Sequence, residues 1–355
     1  MTVTHETGFV AINPALGYNH GVNWDILGHA WAVDLLRQHV AQSSFRHAYL
    51  FTGPQGVGRR TLAVRLAQAL NCPQPPAPGV PCRTCRTCTR LEAMQHPDLA
   101  IVQAEQVGGT LKVDQVRELQ HSLSLAPYEA RYRVALLLRF EEAHVSAANA
   151  LLKTLEEPPP QVVLILTAEN AENLLPTIVS RCEVLRLRPL TAEMISQGLQ
   201  DRAGLSPDQA SLIAHLSGGR PGYALHLSQQ PAELGLRQEW LKDHQHLLAA
   251  SRVDRFAFSE SRSKDKELLR QILMVWLSLW RDVLLQASGA SIAHTNLALG
   301  AEIEKMASDV GLQGASAMVA SLQRTLDLID RNVNARLALD VLLLDLPRMN
   351  STEIR

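Results

Sequence analysis

The chain has 355 residues, 46% of them hydrophobic, with a formal net charge of -1. That length predicts two or three domains, the apolar content excludes a disordered chain, and the near-neutral charge excludes a global basic field for nucleic acid. Any DNA contact is then local or made through a partner. No signal-peptide pattern opens the sequence, and no apolar run reaches the roughly 18 residues that span a bilayer. Arg281 interrupts the nearest candidate, 272–285. A cytoplasmic protein without a membrane contact is expected.

Residues 1–22 mix Gly, Pro and polar residues without a period and read as a flexible N-terminal arm. From Ile26 to Arg188, short apolar runs alternate with helical patterns. Strands are expected at 47–51, 99–103, 134–138, 162–167 and 184–187, and helices at 61–70, 113–125 and 146–155. Continuous apolar strands separated by helices predict an α/β domain over 23–189, its parallel sheet buried on both faces. After Pro189 the strand signals stop. Helices expected at 192–203 and 207–216, then a third after Gly218-Gly219-Arg220-Pro221-Gly222, predict a small helical lid over 190–230. Over 231–355 helical patterns run almost unbroken, strongest at 269–285 and 326–344, and predict an all-α C-terminal domain.

Gly53-Pro54-Gln55-Gly56-Val57-Gly58-Arg59-Arg60-Thr61 lies between an expected strand and helix, which is the setting of a phosphate-binding P-loop. Glycines let backbone N–H groups face phosphate oxygens, and the helix N-terminus adds positive potential. An active loop also needs Lys for the β- and γ-phosphates and Ser or Thr for Mg²⁺. Arg59 stands at the Lys position and Arg60 at the Ser/Thr position, with Thr61 one residue late. Arg lacks the compact ammonium, and Arg60 cannot ligate a cation. A second acidic site is expected after a later strand of such a domain. Residues 134–138 are followed by Arg139-Phe140-Glu141-Glu142, without Asp, and the two glutamates read as solvated residues at a helix start. Weak or no ATP binding, and no intrinsic activity, follow from the two losses together.

Cys72, Cys82, Cys85 and Cys88 crowd into one short segment, 72–88, of a chain with five cysteines. Four thiolates at this spacing suit a tetrahedral structural Zn²⁺, with no open position for water. Arg83, Arg86 and Arg90 give the module local positive charge, either a docking surface or a solvated face. The remaining Cys182 reads as a small buried residue. His47, His96 and His144 read as packing or capping residues.

Several segments form a longer pattern: Trp24-Asp25-Ile26-Leu27-Gly28-His29, then His47-Ala48-Tyr49-Leu50-Phe51-Thr52-Gly53-Pro54, the cysteine cluster and His96-Pro97-Asp98. Later come Leu151-Leu152-Lys153-Thr154-Leu155-Glu156-Glu157-Pro158-Pro159 and Ser180-Arg181-Cys182. Over about 24–222 the chain resembles a bacterial clamp-loader AAA+ subunit of the DNA polymerase III holoenzyme. That resemblance implies three domains, the last a helical oligomerisation collar in a five-subunit ring with gamma/tau and delta subunits. It implies work on a sliding clamp and primed DNA in the bacterial replisome.

It further implies that Arg181 is an arginine finger acting in trans on ATP held by a neighbour. Thr167 matches the polar sensor position and Arg220 the lid sensor. The degenerate nucleotide site would comprise Gly53, Gly56, Gly58, Arg59, Arg60, Thr61, Thr167 and Arg220. The departures at Arg59, Arg60 and the acidic site, and a chain ending at Arg355 without the extra domains of the long tau form, point to the non-hydrolysing delta-prime type. The alternatives are an ATP-hydrolysing gamma-type subunit and a zinc-containing protein that binds DNA alone.

Overall fold

The computed structural model describes residues 24–106, 108–290, 294–331 and 333–349. The expected N-terminal arm therefore lies outside the described residues. Helix α1 (Ala30–Ala41) leads into strand β1 (Ala48–Thr52) and helix α2 (Arg59–Asn71). A short helix α3 (Arg86–Glu92), which the pattern of the segment does not announce, precedes β2 (Leu99–Val102) and α4 (Val113–Leu123). Then come β3 (Arg133–Leu137), α5 (Val145–Glu156), β4 (Val162–Ala168), α6 (Pro176–Val179) and β5 (Glu183–Arg186).

The five strands form one sheet in the order β2-β3-β4-β1-β5, and every pairing is parallel. Register aligns Phe51 with Thr167 on one side of β1 and with Leu185 on the other. Alternate residues of each central strand enter opposite cores. Tyr49, Phe51, Val134, Leu136, Val163 and Ile165 pack with α1 and α2. Ala48, Leu50, Ala135, Leu137, Leu164 and Leu166 pack with α4 and α5. This two-sided burial is why the strands read as unbroken apolar runs. Burying each of these aliphatic side chains is worth about 1.5–3 kcal/mol relative to exposure.

Helices α7 (Ala192–Ala203), α8 (Pro207–Leu216) and α9 (Pro221–Gln229) close around Ile195, Leu199, Ile213 and Leu227. Thr191 and Ser206 cap the first two by accepting backbone N–H groups, and Gly204 ends α7 in the left-handed region. Helices α10 (Pro231–Ala249), α11 (Arg252–Arg262), α12 (Lys266–Ala287), α13 (Gly300–Asp330) and α14 (Ala335–Asp345) form the rest. They share a core that includes Trp240, Trp276, Trp280, Leu322 and Leu339. The apolar pattern at 326–344 is thus two helices, because Asn334 accepts the N–H groups of Arg336 and Leu337 and starts α14 afresh. No helix among the described residues is long and apolar enough to cross a membrane.

Inside this all-α region Arg255 is buried and donates to the carbonyls of Leu247, Leu248, Leu343 and Leu346. These carbonyls lie at the C-terminal ends of α10 and α14, where those of Leu247 and Leu248 also accept the N–H groups of Ala250 and Met349, so one guanidinium bridges two helix ends. Burial lowers its pKa from the ordinary arginine value.

Candidate functional site

The glycine-rich segment runs from the end of β1 to the start of α2 and is packed tightly from both sides. Gly53 has φ 141°, and a Cβ there would lie 2.3 Å from the Leu187 carbonyl oxygen. Its N–H donates to the Glu169 carbonyl at 3.0 Å. His29, buried and with its pKa lowered by that burial, reaches the Val57 carbonyl through Nε2 at 2.9 Å. Gly56 meets the opposite element: its carbonyl accepts the N–H of Gly222, on α9, at 2.8 Å. A Cβ on Gly222 would lie 3.0 Å from that oxygen, a tight contact that a larger residue keeps only if the loop shifts slightly.

Arg59 and Arg60 open α2 behind Gly58, which has φ 111°. Arg60 and Thr61 are exposed, whereas Arg59 is only 8% exposed. Burial lowers its pKa, while the Glu141 and Glu169 carboxylates act in the opposite direction. One of its nitrogens, Nη1, is buried without a hydrogen-bond partner.

The glutamates differ from the sequence expectation. Glu142 is tied by Arg139 Nε at 2.9 Å and by the Gly108 N–H at 2.9 Å. Glu141 accepts the Glu169 N–H at 3.2 Å, and burial raises its pKa while Arg59 opposes the rise. They are not freely solvated, because Arg139 adopts φ 49° at the end of β3 and turns the chain back over the sheet edge. Thr167 is buried in β4, and its hydroxyl accepts the Arg139 N–H at 3.1 Å. Arg220 precedes α9, donates from Nε to the Ser217 carbonyl at 2.8 Å and stacks over Tyr223 at 4.8 Å. Burial lowers its pKa. The structure therefore brings Gly56 together with the start of α9, and leaves Arg59 and Glu141 within electrostatic reach of each other without a direct ion pair.

Arg181 lies elsewhere, after α6 and beside β5. Nη1 donates to the Thr177 carbonyl at 2.8 Å and Nη2 to Glu156 Oε1 at 2.6 Å, with the side chain 35% exposed. It lines an open cleft of about 730 Å³ with Arg46, His47, Leu155, Glu156, Cys182 and Glu183. His47 is fixed by a hydrogen bond between Nε2 and the Leu155 carbonyl at 3.0 Å. Cys182 is a partly buried thiol pushed up to about 12 by desolvation, and so is a poor nucleophile.

The cysteine loop is organised by its own backbone. The N–H groups of Cys82, Cys85 and Cys88 donate to the sulfurs of Cys72, Cys82 and Cys85 at 3.3, 3.3 and 3.4 Å. Cys85 also caps α3, which carries Cys88 back to the cluster. Loop position is set from outside: Trp24 Nε1 donates to the Gly79 carbonyl at 2.9 Å. All four sulfurs lie within 4.8 Å of one another. A tetrahedron with Zn–S bonds near 2.3 Å has S–S edges of about 3.8 Å, so the donor set fits Zn²⁺ with small adjustment. Burial raises the pKa of Cys72 and Cys88. A bound cation supplies the charge that lets such thiolates persist. Arg83 of this loop pairs with Asp25 at 2.8 Å, and Arg90 pairs with Glu129, so neither is simply solvated.

A parallel sheet with a glycine-rich turn between β1 and α2 is the architecture of P-loop proteins. Residues 28–191 match the family model described as DNA polymerase III, delta subunit. Two relatives are described as DNA polymerase III subunit delta'. DNA polymerase III subunit delta' of Pseudomonas aeruginosa is 36% identical over 214 residues, covering 59% of this chain and 62% of the relative. That of Bacillus subtilis is 32% identical over 183 residues, covering 52% and 54%. The chain thus spans less than two thirds of either relative. DNA polymerase III subunit tau of Escherichia coli is 32% identical over 219 residues, covering 59% of this chain and 33% of the relative. Among solved structures, a DNA polymerase III gamma subunit-related protein from Thermotoga maritima is similar at a TM-score of 0.44 and 18% identity. That similarity covers 88% of this chain and 97% of the other.

Proposed function

We propose that this chain is the delta-prime-type subunit of a bacterial DNA polymerase III clamp loader, with an AAA+ domain over 23–189, a lid over 190–230 and a collar over 231–355. In this reading it assembles with gamma/tau and delta subunits into a five-member ring that loads a sliding clamp onto primed DNA. It hydrolyses nothing itself. The observation that carries the reading is the loop's own chemistry: Arg59 and Arg60 occupy the Lys and Ser/Thr positions, and Arg59 is buried at the start of α2. A guanidinium in that place competes for the space and charge that a γ-phosphate and Mg²⁺ would need. The matched family model, a delta-subunit one, favours this reading over a gamma-type ATPase.

Arg181 is the residue that acts. It is permanently charged, presents a planar fork to phosphoryl oxygens, and lines an open cleft rather than a core. Placed against a neighbour's ATP, it would stabilise the charge that develops on the transferring phosphoryl group. The carbonyl of Thr177 and the carboxylate of Glu156 take two of the five N–H donors and fix the plane of the guanidinium. The other donors remain for the phosphate. Cys72, Cys82, Cys85 and Cys88 would hold a structural Zn²⁺, which ties the 72–88 loop to α2 and α3.

The test is Arg181→Ala in the assembled complex. Clamp- and DNA-dependent ATPase should fall tenfold or more, a cautious fraction of the roughly 10³–10⁵ that such fingers supply. The isolated wild-type chain should show no turnover with MgATP. An unchanged rate in the complex, or turnover by the isolated chain, defeats the proposal.

A further inference from the structure

The cleft that holds Arg181 contains a second guanidinium, and the two are held very differently. Arg181 makes two short hydrogen bonds and is about one-third exposed. Arg46 has a fixed backbone, its N–H donating to the Tyr49 hydroxyl at 2.9 Å. Its side chain is 71% exposed, and its Nε stands 3.8 Å from Glu183 Oε2, beyond hydrogen-bonding distance. Glu183 does not depend on Arg46 alone, since His39 Nδ1 lies at the same 3.8 Å from the same oxygen. Arg46 can therefore move toward an entering anion while Glu183 retains another basic neighbour. Both arginines line one open cleft whose volume, about 730 Å³, is in the range of small-molecule sites.

We infer that Arg46 is a second phosphate-binding residue of this cleft, recruited alongside Arg181 by a magnesium-bound nucleoside triphosphate that a neighbouring chain presents. This rests on the finger reading of Arg181. Chemistry divides the work between the two. A preset guanidinium matches charge that develops in the transition state, and its loss lowers kcat. A loose, exposed one meets charge already present on the bound nucleotide, and its loss raises KM. Before assembly the cleft is balanced, Glu156 against Arg181 and Glu183 against Arg46. A polyphosphate shifts that balance and draws Arg46 off Glu183.

The experiment uses the full chain assembled with its partner subunits and follows steady-state ATPase with MgATP. Wild type is compared with Arg46→Gln, Arg46→Lys, Arg46→Glu and Arg181→Ala, with assembly of each checked by size-exclusion chromatography. Arg46→Gln should raise KM for MgATP about three- to fivefold at nearly constant kcat, as for an exposed charged contact. Arg46→Lys should recover most of the loss, and Arg46→Glu should exceed Arg46→Gln. Arg181→Ala should act on kcat. If Arg181→Ala is impaired while the Arg46 series matches wild type, the inference falls and the finger stands. If neither set changes the kinetics, the finger reading falls with it. Failure of Arg46→Gln to assemble assigns Arg46 to subunit contact and also overturns the inference.

Discussion

Arg59→Met offers a direct measure of what the altered loop has become. In the folded chain Arg59 is 8% exposed and lies within electrostatic reach of Glu141, whose pKa burial raises. Removing one partner of a buried contact ion pair costs about 3–5 kcal/mol. These two groups act on each other at longer range and Glu141 is only half-buried, so the loss falls to about 2 kcal/mol. For a unit the size of the sheet domain, this lowers Tm by about 4–8 °C.

The pH dependence has a definite sign. A carboxyl with a raised folded-state pKa favours the fold below its ordinary value of 4.5 and weakens it as pH rises through the folded value. Arg59 opposes that weakening, so its loss should be felt more at pH 8 than at pH 5. Thermal melts of the wild type, Arg59→Met, Glu141→Gln and the double variant, followed by circular dichroism at both pH values, provide the measurement. Arg59→Met with Glu141→Gln should regain more than half of the single loss at pH 8. Equal shifts at the two pH values, or a double variant no better than Arg59→Met, would refute electrostatic coupling between Arg59 and Glu141.

Purified chain should carry one zinc by elemental analysis. Cys88→Ser should release it at a chelator concentration that leaves wild type and Cys182→Ser loaded. Glu156→Gln should lower the ATPase kcat of the assembled complex about threefold by loosening Arg181. It should change Tm little, because an exposed ion pair is worth at most about 1 kcal/mol. Arg255→Met should destabilise the all-α region by about 3 kcal/mol in denaturant melts, since the buried carbonyls that close α10 and α14 lose their donor.

The sheet was legible because its strands are buried on both faces, which leaves a period-free apolar signature at 48–52, 133–137 and 162–168. The cysteine cluster was legible from spacing alone. Other features depend on contacts between distant segments. Helix α3 hides in a run of Arg, Thr and Cys, and only the return of Cys88 to the cluster gives it a reason to form. The fresh start of α14 at Asn334 hides behind leucines that keep helical spacing on both sides. Glu141 and Glu142 looked like solvent residues because their partners, Arg59 and Arg139, are identified as such only once the strand end folds back. Arg46 carried no motif, and its place beside Arg181 follows from the parallel pairing of β1 with β5.

The bond between Gly222 and Gly56 bears on how the chain transmits force. In a loop that holds a nucleotide, the joint between sheet and helices can stiffen and slacken with the ligand. Here a backbone hydrogen bond spans that joint directly, and a methyl group at Gly222 would sit tightly against the same carbonyl. Rotating α7–α9 away from the sheet must break it whatever the nucleotide state of the neighbours. In the ring proposed above, torque from adjoining subunits would then pass through this chain as through a strut, and bending would concentrate at joints belonging to the other members.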